Sequence, residues 1–162
     1  MFFPNVKLQR GFTLVEILIA ISLMGILTVV VIPRIASFNA TQSLEQSALD
    51  FVAVLEDAKS KSASSQLYNG VLSEYGVMVV SGSEYCSGQR LDGSAVDLTC
   101  DRRHFLPAGV AVLALFPAIG SPKTVFDRIT GVVLAGSGSY MFTKGSTSVL
   151  VSISSNGRIE IN

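Results

Sequence analysis

The sequence predicts an α+β protein, with one long N-terminal helix packed on an antiparallel β domain, the helix spanning a membrane first and turning amphipathic after. Three observations carry that expectation. An apolar run from Phe12 to Ile32 leads into a stripe of apolar residues at three- and four-residue steps. After residue 70 the pattern changes to short β-branched and aromatic runs broken by Gly, Ser and Pro. The chain, at 162 residues, has room for one ordinary domain and little more.

Composition agrees. Hydrophobic residues make up 49% of the chain and charged ones only 15%, a balance that a lipid-facing segment would produce. Lys and Arg number 12, as do Asp and Glu, so the overall charge recruits neither nucleic acid, nor an anionic membrane surface, nor an acidic substrate.

Phe12 to Ile32 reads FTLVEILIAISLMGILTVVVI, 21 residues with one ionisable group. A helix of that length covers about 30 Å, the hydrocarbon thickness of a bilayer. Lys7 and Arg10 precede it and the next base is Arg34, so the positive-inside bias leans toward a cytoplasmic N-terminus with the rest of the chain outside. A cleaved secretory signal fits less well. Its apolar region runs to roughly 15 residues and ends at small side chains, whereas this one continues into Val29-Val30-Val31-Ile32-Pro33.

Glu16 stands inside that run. A carboxylate at mid-membrane costs about 2.5–3.5 kcal/mol on insertion scales. It either finds a partner there or reaches to the headgroups from near the helix end, and the residue alone leaves both readings open.

Gly11-Phe12-Thr13-Leu14-Val15-Glu16, between a basic leader and an apolar run, resembles the signal of type IV prepilins and type II secretion pseudopilins. The resemblance is close over residues 7–33. It implies a leader of residues 1–11, cut after Gly11 on the cytoplasmic side by a membrane-embedded prepilin peptidase that also methylates the new N-terminal Phe12. Gly at that position leaves the extended backbone unobstructed in a protease cleft. Glu16 then matches the family's acidic residue, which pairs with the terminal amine of a neighbouring subunit, so that each charge offsets the other's desolvation. The remaining divisions are a transmembrane and assembly helix over 12–33, an amphipathic helix over 34–66 and a β domain over 67–162, the lollipop layout of pilins. The implied partners are the peptidase/methyltransferase, other pilin or pseudopilin subunits, an inner-membrane assembly platform and the lipid bilayer. The implied location is the bacterial inner membrane, in a single pass with a periplasmic globular domain, and then a pilus or pseudopilus. No cofactor is implied.

Gly25 and Pro33 fall where pilin helices commonly carry a glycine and a proline, and the residues themselves make this stretch the helix's weak point. Pro33 cannot donate to the carbonyl of Val29, and Gly25 lowers helix propensity by about 1 kcal/mol relative to Ala. Thr28 to Ile32 are nearly all β-branched. A plain membrane kink is an equal alternative.

Past the proline, Thr41, Leu44, Ala48, Phe51, Leu55 and Ala58, flanked by Leu49 and Val52, form one broad apolar stripe reaching about Lys61. Asp57 and Lys61 stand one turn apart on the polar face. The helix is expected to end within Ser62-Ala63-Ser64-Ser65, with a turn at Asn69-Gly70. Strands are expected over 75–81, 109–116, 124–126, 131–135, 139–143, 148–154 and 158–161, with Asn156-Gly157 closing a final hairpin.

Cys86 and Cys100 lie in CSGQRLDGSAVDLTC, read as a Gly-, Ser- and Asp-rich loop. An exported domain favours a disulfide there over two free thiols. Closing 15 residues contributes about 3 kcal/mol in the chain-entropy account. Zinc is disfavoured because two cysteines and the lone His104 do not complete four ligands in a familiar spacing. Asp92, Asp97 and Asp101 lack the alternation of a calcium hand. Arg102, Arg103 and His104 read as solvated loop, with Asp101 beside them.

The sequence offers no catalytic constellation: one histidine, no G-x-S-x-G, no G-x-x-x-x-G-K, and a Gly136–Ser139 turn that is weak as a phosphate cradle. The expectation is a non-enzyme with no metal. The ending SISSNGRIEI, with Val125-Phe126-Asp127 leading to Gly131, resembles the GspH/FimT group of minor pseudopilins and minor pilins. Both cysteines lie mid-domain, whereas a major pilin usually closes its C-terminal region with a disulfide, so a minor subunit is favoured. Nucleic acid is not indicated, because losing Lys7 and Arg10 leaves 10 basic side chains against 12 acidic. The alternatives are a DNA-uptake minor pilin and an unprocessed, membrane-anchored periplasmic binding module.

Overall fold

The computed structural model describes residues 12–64, 67–68, 70–91, 98–115 and 123–162, with backbone alone for 29–37, 67–68, 71 and 91. Among the described residues one helix, α1 (Leu14–Ala63), precedes ten strands: β1 (Leu67–Tyr68), β2 (Val71–Ser81), β3 (Glu84–Leu91), β4 (Thr99–Phe105), β5 (Ala111–Leu115), β6 (Lys123–Phe126), β7 (Val133–Ala135), β8 (Gly138–Lys144), β9 (Thr147–Ile153) and β10 (Ile159–Ile161). The expected α+β class is the one observed. Two compact units divide the chain, Met1–Asn39 and Ala40–Asn162.

In the first unit every side chain described from Phe12 to Thr28 is exposed. Its hydroxyls are satisfied within the helix, Ser22 Oγ donating to the Leu18 carbonyl at 2.8 Å and Thr28 Oγ1 to that of Met24 at 2.7 Å. The helical backbone runs through both Gly25 and Pro33, so their reduced propensity does not interrupt α1 in this conformation. A side chain at Gly25 would meet nothing within 4 Å, which leaves backbone propensity as that glycine's local effect. Among the described residues no helix is long and apolar enough to cross a membrane. Side chains of the Phe12–Ile32 run are described only as far as Thr28, and the basic residues Lys7 and Arg10 also lie outside the described residues.

The second unit is organised by the stripe on its part of α1. Leu44, Ala48, Phe51, Leu55 and Ala58 are buried, and they share one core with Val77, Val79 and Tyr85 of the first sheet and Val112, Tyr140, Phe142, Val151 and Ile153 of the second. Burial of this apolar face, worth about 25 cal/mol per Å², holds the helix where propensity alone would not. Leu49 departs from expectation. It flanks the stripe yet is 54% exposed.

Both sheets are antiparallel. The first has the order β4-β3-β2-β6-β7 with β1 added on β2, and the second β10-β9-β8-β5. β5 to β10 match the expected runs within a few residues, and β2 begins four residues before its expected start. Gly70, at φ 80°, sits in the two-residue turn between Tyr68 and Val71; Asn69 lies outside the described residues. The Asn156-Gly157 turn joins β9 to β10, and a Cβ at Gly157 would stand 2.5 Å from the Gly131 carbonyl oxygen. Only glycine fits there.

The cysteine segment is the main correction. It is not a loop at either end, since Cys86 lies in β3 and Cys100 in β4, and Tyr85, Cys86 and Gln89 are buried. His104 is also strand, pairing with Tyr85 across the ladder. Polar strands of this kind form because their backbone groups are satisfied by neighbours on both sides of β3, and because Glu74 is salt-bridged to the directly opposite Arg90, with Arg90 Nε donating to Glu74 Oε2 at 2.8 Å. Asp92 and Asp97, in the middle of the segment, lie outside the described residues.

The helix end is tied to both sheets by polar contacts. Ser62 Oγ donates to the Phe126 carbonyl at 2.7 Å and accepts from the Tyr75 amide at 3.1 Å. Lys59 Nζ donates to the Gly157 carbonyl at 2.7 Å. The pair expected from spacing, Asp57 with Lys61, is present at 2.6 Å on the exposed face.

Candidate functional site

At the start of α1 the sequence Thr13-Leu14-Val15-Glu16 forms a reciprocal cap. Glu16 Oε2 accepts from the Thr13 amide at 3.0 Å and from Thr13 Oγ1 at 2.9 Å, while Thr13 Oγ1 accepts from the Glu16 amide at 3.2 Å. Thr13 is thus the N-cap and Glu16 the third helical residue, the positions at which these two types satisfy each other's orphan donors. Both contacts to the carboxylate fall on Oε2, and Oε1 takes part in neither. Glu16 can therefore keep its place at its own helix and still accept a cation from elsewhere. Phe12, immediately before the cap, is 84% exposed. Gly11 lies outside the described residues. The role of Thr13 is not among the expectations from sequence, although the T-x-x-E spacing ahead of an apolar run is its signal.

A second cluster lies on the helix-facing side of β3 and β4. His104 stacks on Tyr85 with ring centroids 4.9 Å apart, and its Nε2 is 3.3 Å from Ser87 Oγ. Burial lowers the imidazole's pKa below its ordinary 6.5 and Arg102 adds to the effect. Because the folded pKa is the lower one, acidification below about 6.5 favours the unfolded chain. Tyr85, also desolvated, has its phenol pushed up to about 12. A cleft of about 230 Å³ beside this cluster is lined by Asp57, Lys61, Tyr75, Ser87, Arg102 and His104. Its polar groups engage one another, Lys61 with Asp57 and Ser87 with His104.

Cys86 and Cys100 are joined as a disulfide, with Cα atoms 5.7 Å apart, and it links β3 to β4 across the bulge at Ser87 and Gly88. Cys86 has no exposed surface. A thiol reagent applied without reductant is accordingly expected to modify neither cysteine, and labelling of both in the exported protein would refute the pairing.

Residues 6–32 match the family model described as the prokaryotic N-terminal methylation motif. The fold matches that of the type IV minor pilin FimU of Pseudomonas aeruginosa, with a TM-score of 0.55 over 77% of this chain and 92% of that one. The chain thus carries the methylation motif at its start and the fold of a type IV minor pilin in the domain that follows. At 18% identity the FimU match speaks for fold alone. By sequence the chain is similar to the type IV major pilin protein PilA of Myxococcus xanthus, 28% identical over 103 residues, or 64% of this chain. The chain spans about half the length of that relative, 46%.

Proposed function

We propose that the chain is a structural subunit of a bacterial type IV pilus or type II secretion pseudopilus, without catalytic activity of its own. The observation that carries this reading is the methylation motif over residues 6–32 leading into a domain with a pilin's fold. In this reading prepilin peptidase cuts after Gly11 and methylates Phe12. The Phe12–Ile32 helix then holds the chain in the inner membrane, with the β domain in the periplasm, until the assembly platform and neighbouring subunits take it into a filament. Glu16, capped by Thr13 and open at Oε1, is the acceptor for a neighbour's methylated amine. The mid-domain cysteines and the GspH/FimT-like ending favour a minor subunit.

Intact mass tests the first step. The membrane-extracted protein is expected to lack residues 1–11 and carry one added methyl group, whereas an unprocessed binding module would retain the full chain. Gly11→Val, which puts a branched side chain into the protease cleft, is expected to leave the precursor uncut. Wild-type leader removal in that variant would refute the role assigned to Gly11.

A further inference from the structure

The cleft between α1 and the edge of the first sheet holds two charges that the chain leaves unmatched. Its helix wall carries Asp57 and Lys61, which neutralise each other at 2.6 Å, with Val54 and Ala58 beside them as an aliphatic floor. Its sheet wall carries Asp101, Arg102 and His104 of β4. Consecutive residues of a regular strand point to opposite faces, so Asp101 and Arg102 line one cleft because the strand is irregular there. Ser87 pairs with Arg102 and the next residue, Gly88, with Cys100, which leaves Asp101 as the extra residue of a bulge. Gly88 fixes this arrangement, since a Cβ on it would stand 1.9 Å from the Thr99 carbonyl oxygen. The other polar groups of the cleft are accounted for, His104 Nε2 meeting Ser87 Oγ while its ring lies on Tyr85. Among the described residues the side chains of Asp101 and Arg102 have neither a hydrogen-bond nor an ion-pair partner, not even each other. Arg102 acts on His104 by repulsion alone, whereas the neighbouring Arg103 is tied to Glu84 at 3.0 Å. One group that seeks an anion and one that seeks a cation thus stand on adjacent residues, with Cα atoms about 3.8 Å apart.

We propose that this cleft binds a free α-amino acid, its carboxylate on the guanidinium of Arg102, its ammonium on the carboxylate of Asp101 and its side chain along Val54 and Ala58. The charges select this class. A guanidinium takes a carboxylate through two parallel hydrogen bonds and a carboxylate takes an ammonium, so a site that presents one of each side by side fits a molecule that carries both on one carbon. A simple anion would have Asp101 facing it, and a simple cation Arg102. Size agrees, because about 230 Å³ is below the roughly 300–1,000 Å³ of a drug-sized site. Both charged side chains are exposed, so water screens the contacts and the affinity is on the order of millimolar. The inference goes beyond the subunit reading and does not depend on it, since the cleft lies wholly within the second unit.

The chain has one histidine, and it lines the cleft, so its ring resonance reports on binding without ambiguity. In the full chain, extracted from membranes and isotopically labelled at histidine, the His104 resonance is expected to shift saturably as leucine is added, with half-saturation on the order of millimolar. Leucinamide, which keeps the ammonium alone, and N-acetylleucine, which keeps the carboxylate alone, should each bind about fivefold more weakly, and they stand for the amino and carboxyl ends of a peptide. Arg102→Gln and Asp101→Asn are each expected to weaken leucine by about fivefold as well, and Arg103→Gln, on the opposite face of β4, to leave its affinity within about twofold. All three positions are exposed, so circular dichroism and the Cys86–Cys100 bond of each variant should match wild type and show that the loss is not one of folding. No saturable shift with leucine would overturn the site. N-acetylleucine binding as tightly as leucine would overturn the amino acid in favour of a simple anion, and leucinamide doing so in favour of a simple cation. An equal loss in Arg103→Gln and Arg102→Gln would mean that the resonance follows net charge, and would overturn the site likewise.

Discussion

Glu16→Gln is expected to be cut, methylated and inserted like wild type, yet to enter filaments at a level lower by roughly tenfold or more. The cap is what makes this substitution clean. A glutamine at the third helical position can still accept from the Thr13 amide and hydroxyl, so the start of α1 keeps its shape and only the charge is lost. Insertion should improve, because an amide costs less than a carboxylate to bring into an apolar medium. Loss of assembly therefore cannot be laid to a poorer anchor. In the proposed pairing, a subunit without its carboxylate would leave a neighbour's methylated amine buried and unpaired, the situation that makes breaking a buried ion pair so much more damaging than lacking one. Quantifying the chain in sheared filaments against its membrane level checks this. Incorporation at the wild-type ratio would mean that Glu16 only reaches toward the headgroups and has no part in assembly.

Phe51→Ala is expected to carry the largest cost in stability, about 3–5 kcal/mol, lowering the Tm of the second unit by roughly 10–20 °C. Phe51 is fully buried and its ring meets three others edge-on: Tyr85 at 4.9 Å, Tyr140 at 4.7 Å and Phe142 at 5.2 Å between centroids. Those partners come from β3 and β8, one in each sheet, so a single helical side chain fills the space where all three layers meet. The cavity left by alanine cannot close easily, because Tyr140 is also pinned by its hydroxyl, 2.8 Å from Thr124 Oγ1, which in turn donates to the Gly136 carbonyl at 2.8 Å. Leu49→Ala, two residues away but exposed, should change stability by less than about 0.5 kcal/mol in the isolated chain. Thermal unfolding of the two variants followed by near-ultraviolet dichroism separates them, and equal midpoints would refute the central place given to Phe51.

The stripe from Leu44 to Ala58 was legible because a helix packing against something broad must repeat its apolar residues every three or four positions, and β8 and β9 were legible because one of their faces is buried. β3 and β4 hid for the converse reason. Glu84-Tyr85-Cys86-Ser87-Gly88-Gln89-Arg90-Leu91 does not alternate, since Arg90 is drawn in by Glu74 and Gly88 lets β4 approach, where a Cβ would stand within 1.9 Å of the Thr99 carbonyl oxygen. Pairings of that kind involve residues distant in sequence, and composition does not reveal them. One local signal was available, Gly82-Ser83 between a strong strand and its return. At the candidate site Glu16 announced itself as a charge among apolar neighbours. Thr13 did not, because its hydroxyl is ordinary until the carboxylate three residues on turns back to it.

Ser62 gives the second unit a property that neither helix nor sheet has alone. Tyr75 and Phe126 are partners in the β2–β6 pairing, and the Ser62 hydroxyl stands between them, taking the amide of one and giving its proton to the carbonyl of the other. A rung of the sheet is therefore completed by the helix. The Tyr75 amide donates to the helix, so its exchange rate responds to undocking of α1 at that turn, while amides deeper in the β2–β3 ladder respond to the opening of the sheet. Where the two rates coincide, helix and sheet open as one cooperative unit, and a pull transmitted along the helix reaches both sides of the sheet together.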